Sequence, residues 1–197
     1  MREMIKLFLV IVVFSALSGG VLAAIQNATQ EKIEYQQLKF VKGPVINKIL
    51  DGSTNNPITD RFKVMDDGEE VTVFVGMFDG DPNVVAFESF GKGYGGEIGT
   101  IVAANLNTDK IVGVGVTTHS ETPGVGSRAK TDPSFTQQFE GIPIQDPIKV
   151  KADGGEIDAV SGATISSRGV CGAVVQWGEQ YERIKDHIQD KLKAFKK

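Results

Sequence analysis

A chain of 197 residues with 41% hydrophobic and 23% charged residues has ordinary globular makeup and enough length for a core without cross-links. A net charge of −4 leaves no basic footprint for nucleic acid. The single Cys171 excludes an internal disulfide, a cysteine-bound iron–sulfur cluster and covalent haem, so any redox chemistry must be organic.

The first segment reads as membrane-bound. Leu7 to Gln30 contains no charged residue, and Leu7–Ile25 is almost wholly apolar or small. That length crosses a hydrocarbon core of about 30 Å. Arg2 and Lys6 precede it and Glu31-Lys32 follow. A retained single-pass anchor in the lipid bilayer is expected over residues 1–30, with the remainder outside the cytoplasm. The rival is a cleaved signal peptide with Val21-Leu22-Ala23-Ala24 as its cleavage site. The uncharged stretch runs on past that site, which favours the anchor. Lys32, Lys39 and Lys42 flank the far end, so charge alone orients the segment weakly.

Residues 31–56 read as a polar connector with a short helix at Val45–Leu50, closed by Asp51-Gly52. A folded domain is expected over 57–197. Val71-Thr72-Val73-Phe74-Val75 alternates as a half-buried strand does, and Val84–Phe90 is a second such run after the turn Gly80-Asp81-Pro82-Asn83. Four glycines in Gly91-Lys92-Gly93-Tyr94-Gly95-Gly96 then interrupt. Ile98–Asn105 and Ile111–Thr118 predict a hairpin around Asn107-Thr108-Asp109-Lys110. Residues 119–130 read as a loop, Ser134–Phe139 as a short helix and Ile148–Val150 as a strand.

From Thr164 the apolar residues Val170, Val174, Trp177, Tyr181, Ile184, Ile188, Leu192 and Phe195 fall three or four apart, one face of a long helix. Gly169, Gly172 and Gly178 lower its intrinsic helicity, so packing on the sheet must supply the difference, and small residues there suit close approach. Cys171 reads as a buried packing residue. Lys191, Lys193, Lys196 and Lys197 read as a solvated end suited to the negative helix pole. The elements together predict an α+β chain: a single N-terminal transmembrane helix, a mainly antiparallel sheet and a long C-terminal helix.

Chemistry concentrates at two places. Asp158-Ala159-Val160-Ser161-Gly162-Ala163-Thr164 stands where a loop becomes the long helix. A helix start offers unpaired N–H groups and the positive end of the macrodipole, a setting for phosphate, and Gly162 and Ala163 keep side-chain bulk away. A plainer reading is a helix capped by a serine. The second place is His119-Ser120-Glu121-Thr122-Pro123-Gly124-Val125-Gly126, whose Pro-Gly corner brings backbone close to a planar ligand. As a bare sequence it is also an ordinary surface turn. His119 and Glu121 lack clustered partners for a metal, and neither G-x-S-x-G nor a dinucleotide-binding strand–turn–helix is present. No residue is assigned as a catalytic acid, base or nucleophile, and no base is evident beside Thr164.

The H-x-E-T-P-G-x-G loop followed some forty residues later by D-x-x-S-G-A-T resembles the G subunit of the Rnf electron-transport complex and, more distantly, NqrC. The resemblance spans the anchor, Gly93-Tyr94-Gly95-Gly96, the hairpin, the loop and the helix start. It implies an FMN-binding domain with FMN joined to Thr164 through a phosphoester. Ser161, Gly162, Ala163 and Asp158 then form the signal read by a Mg²⁺-dependent flavin transferase, which uses FAD and releases AMP. It further implies that Glu121, Thr122, Pro123, Gly124 and Tyr94 serve the flavin, with Glu121–Gly124 against the isoalloxazine ring. The partners implied are the other membrane and peripheral subunits of the complex. The implied activity is electron transfer within a ferredoxin:NAD⁺ oxidoreductase that moves Na⁺ or H⁺, the soluble domain lying on the periplasmic side of the inner membrane. The alternatives are an NqrC-like subunit, a flavin domain of a membrane regulator, and a non-redox exported binding protein.

Overall fold

The two-residue apolar alternation between residues 61 and 116 folds into five antiparallel strands in a computed structural model that describes residues 2–193 and 195. The strands are β1 (Arg61–Asp66), β2 (Glu69–Phe78), β3 (Asp81–Lys92), β4 (Glu97–Asn105) and β5 (Lys110–Val116). Each pairs with its neighbours in chain order, so the sheet is a meander, β1-β2-β3-β4-β5. The chain divides into two compact units, Met1–Phe40 and Val41–Lys197.

In the first unit, helix α1 (Arg2–Gln37) is continuous, and its stretch Arg2–Gln30 is long and apolar enough to cross a membrane. A π-helical turn, Leu38–Lys42, follows, and then the short helix α2 (Gly43–Ile49).

Within the second unit the hairpin turns explain the register. Asp67-Gly68 and Asp79-Gly80 both have positive φ at each position (48° and 90°, 56° and 83°), the conformation two-residue hairpins favour. The turn before β3 is therefore Asp79-Gly80, and Asp81-Pro82-Asn83 already belong to the strand. Strand β1 was hidden in the sequence behind its charged residues, although Asp67-Gly68 is a strong hairpin signal. Ile148–Val150 is no strand of the sheet: Val150 makes only an isolated bridge to Ile157.

Helix α5 (Thr164–Leu192) covers one sheet face, as its stripe requires. Val170, Val174, Trp177, Tyr181, Ile184 and Ile188 are buried with Val73, Val75, Val85, Phe87 and Val102. Trp177 stacks between Phe87 at 4.5 Å and Tyr181 at 5.3 Å. The half-buried Phe195 lies 5.9 Å from Phe62; Lys196 and Lys197 lie outside the described residues. Cys171 is buried, and desolvation pushes its thiol up to about 12, so it is a packing residue.

The other face is also covered, and β2 is accordingly buried on both sides rather than half-buried: Val73, Phe74 and Val75 are at most 3% exposed. On that face helix α2 lies over β5 and β4, and Leu50, just after it, meets Gly76 of β2. Val45 and Ile49 of α2 lie so close to Gly115 and Gly113 of β5 that a Cβ at either glycine would collide with them.

Two further glycines fix where α5 starts. A Cβ on Gly91, near the end of β3, would overlap the carbonyl oxygen of Gly169. One on Gly169 would lie 3.0 Å from Gly93 N and Lys92 O. Backbone therefore meets backbone there, and the first turns of α5 are set against the glycine-rich segment after β3. Close approach to a strand is thus the use of Gly169; Gly172 faces open space.

Candidate functional site

The Asp158–Thr164 motif ends in the first residue of α5. Thr164 is half-buried at that position, Ser161 and Gly162 are exposed, and Ala163 is buried. Ala163, not a serine, occupies the cap position and makes no side-chain cap bond, so the plain reading of a serine-capped helix fails. Gly162 has φ +77° and Ala163 N–H donates to Val160 O at 2.9 Å. These are the marks of a tight turn whose third residue favours glycine. Ser167 locks it: its Oγ accepts from Val160 N–H at 2.9 Å and donates to Ala163 O at 3.0 Å.

The loop after β5 carries the same device. Val125 N–H donates to Thr122 O at 3.2 Å, and Gly124 has φ +73° behind Pro123, so Thr122–Val125 is a second tight turn of this kind. Gly124 N–H donates to Ser127 Oγ at 2.8 Å. Thr122, Pro123, Gly124 and Val125 are all exposed. The two turns meet: a Cβ on Gly162 would stand 3.9 Å from Val125 Cγ1. Residues some forty apart in sequence therefore form one surface beside the Thr164 hydroxyl.

Glu121 behaves differently from the rest of its loop. It is only 5% exposed. Its Oε1 accepts from Gly95 N–H at 2.8 Å, its Oε2 accepts from the Ser166 hydroxyl, and its own N–H donates to His119 Nδ1 at 3.2 Å. Tyr94, beside Gly95, is 73% exposed, and Val125 and Ile165 are open to solvent too. Ile165, next to Thr164, and Val125, against Gly162, thus present exposed apolar side chains near the helix start.

Asp158 is exposed and paired with Lys151 at 2.7 Å. Its backbone is held at both ends by Gln138, which accepts from Asp158 N–H at 2.7 Å and donates to Asp158 O at 3.2 Å. Arg168, one turn beyond Thr164, binds Asp153 through two hydrogen bonds of 2.7 Å and holds that carboxyl below its usual range.

Sequence reading missed Ser166, Ser167 and Gln138. The two serines left a trace: extending the α5 stripe backward from Val170 calls for apolar residues there, so buried hydroxyls mark a special environment. Gln138, twenty residues from its partner, left none.

The residues fit FMN, whose phosphate suits a helix start. The helix start presents N–H groups, the left-handed Gly162 keeps bulk away, and the exposed Val125 and Ile165 lie close to it, in the fold and in the chain respectively. Residues 93–179 match the FMN-binding domain family, a span that contains both turns.

The G subunit of an ion-translocating oxidoreductase complex from Methanosarcina acetivorans is 33% identical over 175 residues, 88% of this chain and 92% of that protein. The chain belongs to the G-subunit family of ion-translocating oxidoreductase complexes. The corresponding G subunit from Vibrio cholerae is 32% identical over 193 residues, 92% of this chain and 90% of its own. The crystal structure of Shewanella oneidensis NqrC superposes with a TM-score of 0.52 at 28% identity over 72% of each chain. Membership of the G-subunit family thus rests on nearly the whole length, and the FMN-binding domain on residues 93–179, which hold the site.

Proposed function

We propose that this G-type protein is the covalent-FMN electron-transfer subunit of a membrane-bound, Rnf-type ferredoxin:NAD⁺ oxidoreductase complex that moves Na⁺ or H⁺. The observation that carries the proposal is the meeting of the Thr122–Val125 turn with the Val160–Ala163 turn beside Thr164. Thr164 Oγ1 is the attachment atom. A flavin transferase supplies the base that a threonine hydroxyl lacks near neutral pH. The threonine oxygen bonds to the flavin-side phosphorus of FAD, the pyrophosphate bond breaks, AMP leaves and the hydroxyl proton goes to the transferase. Asp158, Ser161, Gly162 and Ala163 form the surface the transferase reads. Gln138 and Ser167 hold that surface in shape from behind.

Once attached, flavin supplies the electron chemistry, and the chain's part is position and environment. Thr122, Pro123, Gly124 and Tyr94, all exposed, would hold the ring, which would exchange electrons with neighbouring subunits of the complex. The tether keeps the cofactor at high effective concentration where free flavin is scarce. Helix α1 anchors the protein, with Arg2 and Lys6 on the cytoplasmic side and the flavin domain on the periplasmic side.

The test is fluorescence of the full-length protein on a denaturing gel after co-expression with a flavin transferase. A yellow fluorescent band is expected, since only a covalent flavin survives denaturation; a colourless protein would favour the non-redox binding reading. The likeness to Shewanella NqrC supports a second assignment, an NqrC-like subunit of a Na⁺-translocating NADH:quinone oxidoreductase. The subunits that co-purify with the protein from detergent separate the two, and purification with no respiratory membrane subunit would point to a membrane regulator.

A further inference from the structure

Glu121 is a buried carboxyl group with both oxygens turned inward, at the base of an exposed loop. Burying such a group is costly unless each oxygen is satisfied. Here the two donors come from different parts of the chain, the glycine-rich segment (Gly95 N–H) and the first turn of α5 (Ser166 hydroxyl). The backbone closes around the carboxyl: a Cβ on Gly93 would lie 2.5 Å from Oε1, and one on Gly126 would lie 2.6 Å from Oε2. By contrast, the hydrogen bonds from Gly124, Val125 and Ser127 N–H all end on residues within 122–127 and shape the turn without placing it.

We propose that Glu121 is a positioning residue for the flavin, tying the Thr122–Gly124 turn and Tyr94 to the attachment helix through Ser166. Ser166 stands two residues from Thr164, so the bond fixes the distance between the ring-facing turn and the tethering oxygen. Glu121 does not itself touch the ring; its oxygens are committed to Gly95 and Ser166. The inference rests on Thr164 being the attachment residue. It separates two jobs within one motif: Thr122–Gly124 face the ring, and Glu121 holds them there.

The experiment uses the full chain, co-expressed with a flavin transferase for labelled protein and without it for flavin-free protein. Ser166→Ala removes one hydroxyl and leaves Thr164 untouched, so the FMN adduct still maps to Thr164. In flavin-free Ser166→Ala, amide exchange at Gly95, whose N–H is held by the Glu121 carboxyl, rises on the order of tenfold, about the weight of one hydrogen bond. In the labelled variant the fluorescence anisotropy of the attached flavin falls and its midpoint potential shifts. Glu121→Gln keeps both bonds, its amide oxygen accepting from Gly95 N–H and its amide nitrogen donating to Ser166 Oγ, and stays near wild type in all three readouts. Glu121→Leu loses both bonds and follows Ser166→Ala or exceeds it. Wild-type exchange, anisotropy and potential in Ser166→Ala overturn the bracket, as does a Glu121→Gln variant no better than Glu121→Leu. A wild-type protein with no adduct at Thr164 overturns the attachment reading and the bracket together. An adduct at Thr164 with an unmoved flavin in Ser166→Ala overturns the bracket alone.

Discussion

Helices α1 and α5 run for 36 and 29 residues, and both are rich in apolar side chains. In α1 these point in all directions and stay open, with Phe8, Leu17 and Leu22 each more than 60% exposed. In α5 they fall on one face, and Trp177, Tyr181, Ile184 and Ile188 are at most 1% exposed. A sheet can satisfy one stripe of a helix; a helix that is apolar all round is satisfied only by a surrounding apolar medium. The charge pattern agrees, since Leu7–Gln30 has no charge whereas the outer face of α5 carries Glu179, Glu182, Arg183 and Asp186. One helix is long and apolar enough to cross a bilayer, and the other packs on the domain that holds the site.

Breaking that contrast most completely is a partition experiment. The mature protein is expected wholly in the membrane fraction after alkaline extraction, with its N-terminal segment retained. A soluble exported protein whose sequence starts at Ala24 would show that α1 is a leader and not an anchor.

Next in size is Trp177→Ala, which empties the centre of the Phe87–Trp177–Tyr181 stack and should destabilise the domain by about 3–5 kcal/mol in chemical denaturation. The matched change in α1, Phe14→Ala, should leave the unfolding midpoint of the domain unchanged. Equal losses from the two would mean that α1 is part of the same core.

Glycines of α5 sharpen the comparison within one helix. Gly169→Ala pushes a methyl group against Gly93 N and Lys92 O and should cost about 1–3 kcal/mol. Gly172→Ala meets nothing within 4 Å and should stabilise by up to about 1 kcal/mol through helix propensity alone. The opposite signs, read from denaturation midpoints, would establish that α5 is held by close contact at one point and by intrinsic helicity elsewhere.

A smaller effect is expected from pH. Hydrogen bonds from Arg183 hold the Asp66 carboxyl below its usual value, against the opposing effect of burial, with Gln180 adding a further bond. A lowered native pKa contributes stability that is present above the ordinary carboxylate range and fades as pH falls through it. Asp66→Asn should therefore lower the midpoint at neutral pH and flatten its decline in acid. An identical acid profile for variant and wild type would show that this tie between β1 and α5 contributes nothing.

Much of this architecture was legible in the sequence because it rests on local periodicity. The alternation in β2–β5 and the three-and-four spacing in α5 report the faces that become buried. What escaped was set by contacts between distant residues. Strand β1 carries Arg61, Lys63 and Asp66, with Lys63 paired to Glu70 on the surface and Asp66 buried against Arg183, so its alternation was faint. The packing of Leu50, just after α2, against Gly76 of β2 is a contact between distant residues that the alternation of β2 does not report. At the site, the two glycine turns and the threonine could be read as letters, and their juxtaposition could be expected from resemblance. The bond from Ser166 to Glu121, 45 residues apart, could not.

At the Thr122–Val125 turn, Gly124→Val places a branched side chain at φ +73° on an open surface; if the ring packs there, it should shift the flavin spectrum or potential while leaving attachment in place. Unchanged values in a folded variant would put the ring elsewhere.

The most direct measurement is mass spectrometry of the peptide spanning residues 152–168 from full-length protein co-expressed with a flavin transferase. Wild type, Ser166→Ala and Ser167→Ala should carry FMN on Thr164, and Asp158→Ala should carry less of it. Thr164→Val, which keeps the shape and removes the oxygen, should carry none and still fold. An adduct that persists in Thr164→Val, or maps to Ser166 or Ser167, would contradict the account.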